Sequence, residues 1–280
     1  MKQKTLLSIL CEVDALLNNK PQCKEEHIYF AIPLKSKQVS KNWKVVQENL
    51  KNTLQSILNN TKRNFTILVA GHEKPSIEEL NHKKVIWLPV NFSTPKSPRG
   101  FNKDKNYKLN IIGQYLKEKK KVGYIMPFDS DDLVHYRFVE YVNTLPISTA
   151  YFVNKGIMSN EKQKELWLLN NFYMRCGSGG LYYFKYNNFP ASYEDRNSFI
   201  YKLIGNHQKS IKLLQKHKKD ITIINHPIVL RRFGHGDNNM LLKGTMKHTI
   251  SAKDFGTSGV NVESVSFLDN YFKTKQTWGV

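Results

Sequence analysis

The sequence predicts a single α/β domain with a mainly parallel sheet, and three observations support this. Short apolar runs that fit strands alternate with amphipathic segments that fit helices. The 280 residues suffice for one large domain or two small ones. The fourth apolar run, Val122 to Phe128, ends abruptly in the carboxylates Asp129, Asp131 and Asp132. In open α/β sheets, such strand ends meet at a crevice where ligands bind.

The first half of the chain supplies the elements that precede this acidic run. Apolar residues spaced three and four apart predict helices, and short runs of β-branched and aromatic residues predict strands. Pro33 stops the first strand, and Ser40 can cap the helix that follows it. The predicted elements are a helix over 1–20, a strand over 27–34, a helix over 40–58, strands over 65–70 and 85–90, a loop over 91–104 and a helix over 107–121.

The second half repeats the alternation until about residue 240, where the periodicity weakens. Its predicted elements are a helix over 133–145, a strand over 149–153, a glycine-rich turn and strand over 176–184, a loop over 189–197, a basic helix over 199–219, and strands over 221–224 and 228–230. No internal repeat is visible. We therefore divide the chain into an N-terminal helix and connector (1–26), an α/β domain (27–235) and a C-terminal extension (236–280).

The chain is strongly basic, with 43 lysines and arginines against 23 acidic residues and a net charge of +20. This balance favours anionic partners such as nucleotide phosphates, nucleic acid, an acidic membrane leaflet or an acidic glycan. No apolar run reaches the roughly 18 residues that a membrane span needs. The helix over 1–20 is expected to pack on the domain or on a second subunit, with membrane docking as the alternative.

The N-terminus and the cysteines indicate a cytoplasmic location. Residues 1–10 resemble the start of a signal peptide, but Glu12 and Asp14 interrupt the apolar region at once. The three cysteines, Cys11, Cys23 and Cys176, show no metal-ligand spacing and leave an odd thiol. This usage is typical of a reducing compartment.

Three carboxylates at one strand end repel one another unless a cation or strong donors neutralise them. Their oxygen atoms suit Mg²⁺ or Mn²⁺, and an ion held by few carboxylates usually also binds a substrate phosphate. The alternative is a solvated acidic turn, in which Asp131 or Asp132 caps the next helix.

Five segments together resemble the nucleotide-sugar glycosyltransferases of the GT-A fold, and in particular the family 2-like enzymes of bacterial surface polysaccharides. They are the strand Ile28-Tyr-Phe-Ala-Ile-Pro33, the helix segment Leu50 to Ile57, the strand Phe65 to Ala70, the motif Phe128-Asp-Ser-Asp-Asp132 and the glycine-rich turn Gly177 to Phe184. The resemblance covers residues 27–235. It implies a GT-A-like domain that moves a sugar from a nucleotide-diphosphate donor to a glycan or lipid-linked acceptor.

The resemblance also implies roles for the acidic motif and for the first two strand ends. Asp131 would bind Mn²⁺ or Mg²⁺, Asp129 would contact the metal, its bound water or the ribose, and Asp132 would assist as a metal ligand or cap a helix. Pro33 and Lys35 would begin the nucleotide pocket. His72 and Glu73 would contact the base or the ribose, although a solvated turn explains this pair equally well.

Further roles fall on residues outside the motif. Lys105 and Lys108 would contact the diphosphate, or would simply be two exposed lysines. An inverting transferase needs a general base, and the Glu194-Asp195 pair follows the glycine-rich strand as the family's carboxylate pair does, with Asp195 preferred. No apolar helix pattern follows the pair, which departs from the family. His235 would be a late metal ligand or phosphate contact, or part of a surface loop.

Two other functions remain open at this stage. A haloacid-dehalogenase-type phosphatase also carries Asp-x-Asp after an apolar strand, with the first Asp as nucleophile, but Leu133 stands where that motif has Thr or Val. A nucleic-acid-binding module would explain the charge, yet no corresponding motif is visible, and we expect no nucleic-acid partner. We expect the protein to be cytoplasmic, with peripheral contact to an anionic membrane and homo-oligomerisation as open alternatives.

Overall fold

The computed structural model describes residues 3–18, 25–242, 244, 246–261 and 267–274. The helices are α1 (Gln3–Asn18), α2 (Trp43–Leu58), α3 (Phe101–Glu118), α4 (Phe138–Asn143), α5 (Phe199–Ile204), α6 (His207–Lys216), α7 (Asn239–Leu242) and α8 (Phe267–Phe272). The strands are β1 (Ile28–Pro33), β2 (Phe65–Gly71), β3 (Val85–Pro89), β4 (Gly123–Pro127), β5 (Leu133–Val134), β6 (Ala150–Val153), β7 (Gly156–Asn160), β8 (Glu165–Leu169), β9 (Gly180–Phe184), β10 (Ile221–Ile224), β11 (Val229–Phe233) and β12 (Val260–Asn261).

The main sheet has seven strands in the order β10-β6-β9-β4-β1-β2-β3. All of its pairings are parallel except those of β9, which runs antiparallel to β4 and β6. Side chains of β1 alternate between two apolar clusters, with Phe30 in one and Tyr29 in the other, so both faces of the sheet are covered. The predicted mainly parallel α/β fold is confirmed.

A second sheet, in the order β12-β8-β7-β11-β5, was not predicted as a unit. β7 and β8 form a hairpin in a region for which the sequence predicted no element, and β11 joins β7 in parallel. From the C-terminal region, β12 pairs with β8, and α8 buries Leu268 and Phe272 in the cluster under this sheet. At the other end of the chain, α1 buries Val13 and Leu17 in the first cluster.

Four boundaries differ from prediction. The predicted helix over 133–145 is wrong at its start, because Leu133 and Val134 pair with β11 and only α4 is helical. α2 is capped by the Asn42 side chain, which accepts from two backbone N–H groups, and not by Ser40. α3 begins at Phe101, inside the predicted loop. The basic helix over 199–219 is interrupted at Gly205 and becomes α5 and α6.

No helix in the described part of the chain combines the length and the apolar character that crossing a membrane requires.

His135, between β5 and α4, is a fully buried imidazole with a strongly altered acidity. Its ring packs against Tyr136 and Tyr271, and its Nδ1 accepts a hydrogen bond from the backbone N–H of Arg137. Burial first, and then the charge of Arg137, lowers its pKa to about 3, against a smaller opposing effect of Glu140. The folded protein therefore keeps this side chain neutral at acidic pH.

This histidine should make the protein lose stability in mild acid. The unfolded chain binds a proton at His135 below about pH 6.5, whereas the folded protein does so only near pH 3. The contribution of His135 to the free energy of unfolding is therefore complete above pH 6.5 and decreases as the pH falls below it. The expected loss is about 2 kcal/mol in the free energy of unfolding at pH 5. Urea titrations of wild type and His135→Asn between pH 8 and pH 5 measure it, since asparagine keeps an acceptor near Nδ1. A pH slope that is the same in both proteins would contradict the assignment.

Candidate active site

A cavity of about 510 Å³ opens at the carboxyl ends of β1 and β4. Its walls come from the start of α2, the start of α3, the residues after β4, the segment between α5 and α6, and the loop after β11. Seven of the predicted site residues line it, namely Pro33, Lys35, Lys105, Asp129, Asp131, Asp132 and His235. The volume is that of an ordinary small-molecule site.

Asp131 and His235, 104 residues apart in sequence, are in direct contact. The distance between Asp131 Oδ2 and His235 Nε2 is 2.9 Å. The amide nitrogen of Asn238 lies 2.9 Å from the same oxygen and 2.8 Å from the same imidazole nitrogen. Burial alone would raise the pKa of Asp131, but the hydrogen bond from His235 and the charges of His235, Arg231 and Lys35 hold it below its usual value. Asp131 is therefore an ionised carboxylate inside the cavity.

The spacing of Asp131 and His235 is that of two ligands of a divalent cation, which would have to take the place of the hydrogen bond between them. Adjacent ligands of an octahedral ion with bonds of about 2.1 Å lie about 3 Å apart, which is close to the Asp131–His235 distance. The described residues contain no group of three or more His, Cys, Asp or Glu side chains that could hold a metal ion. An ion here would have two protein ligands and would take its other ligands from water and phosphate, as Mg²⁺ commonly does. Asn238, as oriented, donates with its amide nitrogen and does not ligate.

Asp132 is turned away from this pair and into the protein. Its carboxyl oxygens accept hydrogen bonds from Ser178 Oγ (2.6 Å), Cys176 Sγ (3.1 Å) and the backbone N–H of Arg232 (3.2 Å). Burial first, and then the neighbouring charges of Asp131 and Asp129, raises its pKa to about 8. The glycine-rich turn and β11 already engage the oxygens of Asp132, and its role as a metal ligand stays a prediction.

Asp129 forms an ion pair with Lys105, which lies in the second turn of α3. Burial would lower the pKa of Lys105, but the charge and hydrogen bond of Asp129 raise it above its usual value. Gly177 leaves room for this pair: a Cβ there would lie 3.0 Å from Lys105 Nζ and 3.2 Å from Asp129 Oδ2. Ser178 Oγ accepts a hydrogen bond from the backbone N–H of Asp129 and donates one to Asp132 Oδ2. The glycine-rich turn therefore supports the acidic motif.

Asp237 fastens the loop after β11 to the loop after β1. Its carboxylate is 96% buried and accepts from Lys35 Nζ (3.0 Å) and from the backbone N–H groups of Lys41 (3.1 Å) and Asn42 (2.7 Å). This contact holds His235 in place beside Asp131. In this loop only His235 was predicted as a site residue, although the run of polar residues up to Asn239 could have indicated a larger role for the loop.

Three predicted donor-site residues have other partners. His72 Nε2 lies 2.8 Å from the carbonyl oxygen of Phe92, and Glu73 accepts from Ser36 Oγ and the backbone N–H of Lys37. Lys108 is fully buried and pairs with Asp104 at 2.6 Å. None of the three lines the cavity. The side chain of Lys108 points from α3 into the protein, and its contact with the diphosphate stays a prediction.

Glu194 and Asp195, the predicted general bases, also lie outside the cavity. Their loop packs along α3, where Asn110 Nδ2 donates to the carbonyl oxygens of Tyr193 and Asp195. Asp195 Oδ1 accepts from the backbone N–H of Asn197, which is a local turn contact, and Glu194 is exposed. The structure therefore does not bring either carboxylate to the acidic motif.

Three further lining residues, Arg175, His207 and Arg231, were not predicted from the sequence. A guanidinium nitrogen of Arg231 donates to the carbonyl oxygen of Arg175, and another lies 3.1 Å from Met240 Sδ. Burial first, and then the charge of Lys105, lowers the pKa of His207 to about 4, so this imidazole is neutral at pH 7. His207 lies in the predicted basic helix and Arg231 at a predicted strand end, whereas Arg175 lies just before the predicted glycine-rich turn, where no element was predicted.

Comparisons with known proteins give distant structural likenesses only. No protein-family model matches the chain, and no curated protein matches it. One similar solved structure is described as a nucleotide-diphospho-sugar transferase from Desulfovibrio desulfuricans G20, with 8% identity, a TM-score of 0.38, and coverage of 89% of this chain and 97% of that one. Another is the PaToxG glycosyltransferase, with 13% identity, a TM-score of 0.25, and coverage of 56% of this chain and 57% of that one. Likenesses as distant as these carry no argument about activity.

Proposed function

We propose that this protein is a glycosyltransferase that takes a sugar from a nucleotide-diphosphate donor, with a divalent ion at Asp131 and His235. The observation that supports the proposal best is the contact between these two side chains at the strand ends of the main sheet. A carboxylate and an imidazole beside a cavity of this size suit an ion that takes its remaining ligands from a substrate diphosphate.

The cavity residues would then stabilise the charge that develops on the leaving diphosphate. A bound Mn²⁺ or Mg²⁺ would act as a Lewis acid toward the phosphate oxygens. Lys35, Lys105 and Arg231 line the same cavity and supply fixed positive charges. Lys35 is held by Asp237 and Lys105 by Asp129, so neither has to be ordered when the donor binds. The acceptor would be a glycan or a lipid-linked saccharide.

A thermal-shift panel tests this proposal. Nucleotide-diphosphate sugars should raise the melting temperature, and Mn²⁺ should enlarge the rise, because a ligand that binds only the folded state stabilises it. A donor at a hundred times its Kd should give a shift of about 5 °C. The Asp131→Asn variant, a matched control, should lose the Mn²⁺-dependent part. If no nucleotide sugar shifts the wild type, with or without metal, the proposal fails. A shift with oligonucleotides alone would instead favour a nucleic-acid-binding protein.

A further inference from the structure

The parallel strands of the main sheet begin at the end opposite the cavity, and this end carries a row of basic side chains. We call this end of the sheet the basic edge. The cavity lies at the carboxyl ends of parallel strands, so the connections that enter these strands lie at the other edge. The antiparallel strand β9 ends at that edge as well. The basic residues of these connections are Lys62, Arg63, Lys83, Lys84, Lys119, Lys120, Lys121, Lys185, Lys218 and Lys219.

The row covers five of the seven strands, because the connection into β6 (144–149) and the described residues 25–27 before β1 contain no lysine or arginine. His27 stands immediately before β1, between the connections that enter β4 and β2. Burial first, and then the charges of Lys84 and Lys121, lowers its pKa to about 4, which places cations from two different connections close to one histidine. Seven strands at a spacing of about 4.8 Å give the row a length of about 29 Å.

These cations are not neutralised within the described part of the chain. Lys84 Nζ and a guanidinium nitrogen of Arg63 donate to backbone carbonyls, and no ion pair with a carboxylate is found for Lys83, Lys121 or Lys219. The acidic residues in or beside the same connections are fewer, namely Glu25, Glu26, Glu118 and Asp220. The edge therefore presents a net positive field to solvent.

Exposed apolar side chains stand in the middle of this row. Ile147, before β6, is 73% exposed, and Val122, before β4, and Tyr186, after β9, are each 42% exposed. The strands β6, β9 and β4 are neighbours in the sheet, so the three residues lie next to the ends of adjacent strands. Lys121 and Lys185 directly adjoin Val122 and Tyr186 in sequence.

We propose that this edge docks the protein on an anionic lipid bilayer, which goes beyond the proposed function. Lysines would meet the anionic headgroups, while isoleucine, valine and tyrosine would enter the boundary between headgroups and acyl chains. A soluble polyanion would complement the lysines but would leave the apolar side chains in water. The docked protein would hold its cavity on the far side of the sheet, about 20 Å from the lipid surface, given seven residues in β2 at about 3.3 Å each.

Vesicle co-sedimentation tests the proposal with a matched pair of variants. The edge variant replaces Lys83, Lys121, Lys185 and Lys219 by glutamine. The control variant replaces Lys44, Lys74, Lys162 and Lys253, which are also exposed but lie away from this edge. Wild type should bind phosphatidylcholine vesicles that contain phosphatidylglycerol and should not bind pure phosphatidylcholine. Each basic residue near an anionic surface strengthens binding roughly fivefold, so the edge variant, which loses four, should bind roughly 600-fold more weakly. The control variant should bind like the wild type.

A third variant, Ile147→Ser with Tyr186→Ser, separates a bilayer from a soluble polyanion. It should weaken vesicle binding and leave the weak, salt-sensitive binding of an oligonucleotide unchanged. Equal losses in the edge and control variants, or no binding of wild type to anionic vesicles, would overturn the proposal. The proposal would also be overturned if the wild type bound the oligonucleotide as tightly as the vesicles and the apolar replacements weakened neither interaction. The readout needs no transferase activity, so its outcome is independent of the proposed function.

Discussion

Replacing Asp131 by asparagine should lower kcat/KM for sugar transfer by at least about a hundredfold while the protein stays folded. The carboxylate lies in the cavity, is ionised, and touches His235 Nε2 at 2.9 Å. Asparagine keeps the size of the side chain but removes the charge that would bind a divalent ion. Transfer from a nucleotide sugar, measured across a range of Mn²⁺ concentrations, should show that added metal does not restore the rate.

Asp195→Asn is the matched control for this loss. It makes the same chemical change in a carboxylate that the structure places in a turn beside α3 and outside the cavity. Its turnover should stay near that of wild type. Full activity in a folded Asp131→Asn protein would show that Asp131 does not bind a metal that the reaction needs. A loss in Asp195→Asn as large as that in Asp131→Asn would restore Asp195 as a candidate base and show that the loop moves on acceptor binding.

The main sheet could be predicted because its strands are separate apolar runs, and its central strands are buried on both faces. The second sheet could not, since β5 has only two residues and β7 and β8 pair with β11 and β12, which lie far along the chain. Such pairings are decided by tertiary contacts and leave no local periodicity. Leu133 and Val134 followed three carboxylates and could be taken for the start of a helix.

In the site, as in the sheets, the features that could be predicted are local in sequence, and the others depend on contacts between residues far apart in the chain. Asp129, Asp131 and His235 could be selected from the sequence because polar residues stood where a strand ended or between glycines. That Asp131 and His235 touch, and that Asp237 holds the second loop to the first, depends on β11 lying beside the acidic motif. The different directions of Asp131 and Asp132 could not be predicted either, because neighbouring carboxylates have the same chemistry until the fold gives them different partners.

Ser178 links the acidic motif to the structure that supports it. It accepts from the backbone N–H of Asp129 and donates to Asp132 Oδ2, while Asp132 Oδ1 accepts from the backbone N–H of Arg232. Asp132 thus joins the turn after β4 to the glycine-rich turn and to β11, and it does so from a fully buried position. This arrangement indicates that the third carboxylate of the motif supports the other two.

Replacing Asp132 by alanine should therefore lower the free energy of unfolding by about 2–4 kcal/mol, because it leaves a buried hydroxyl and a buried N–H without acceptors. Asp132→Asn should cost less, since an amide has nearly the same shape and keeps one of the two acceptor oxygens. Urea denaturation of the three proteins at pH 7 measures both changes. An alanine variant as stable as wild type would contradict the structural role. If Asp132→Asn instead removes Mn²⁺-dependent transfer as completely as Asp131→Asn while its stability is unchanged, Asp132 is a metal ligand after all.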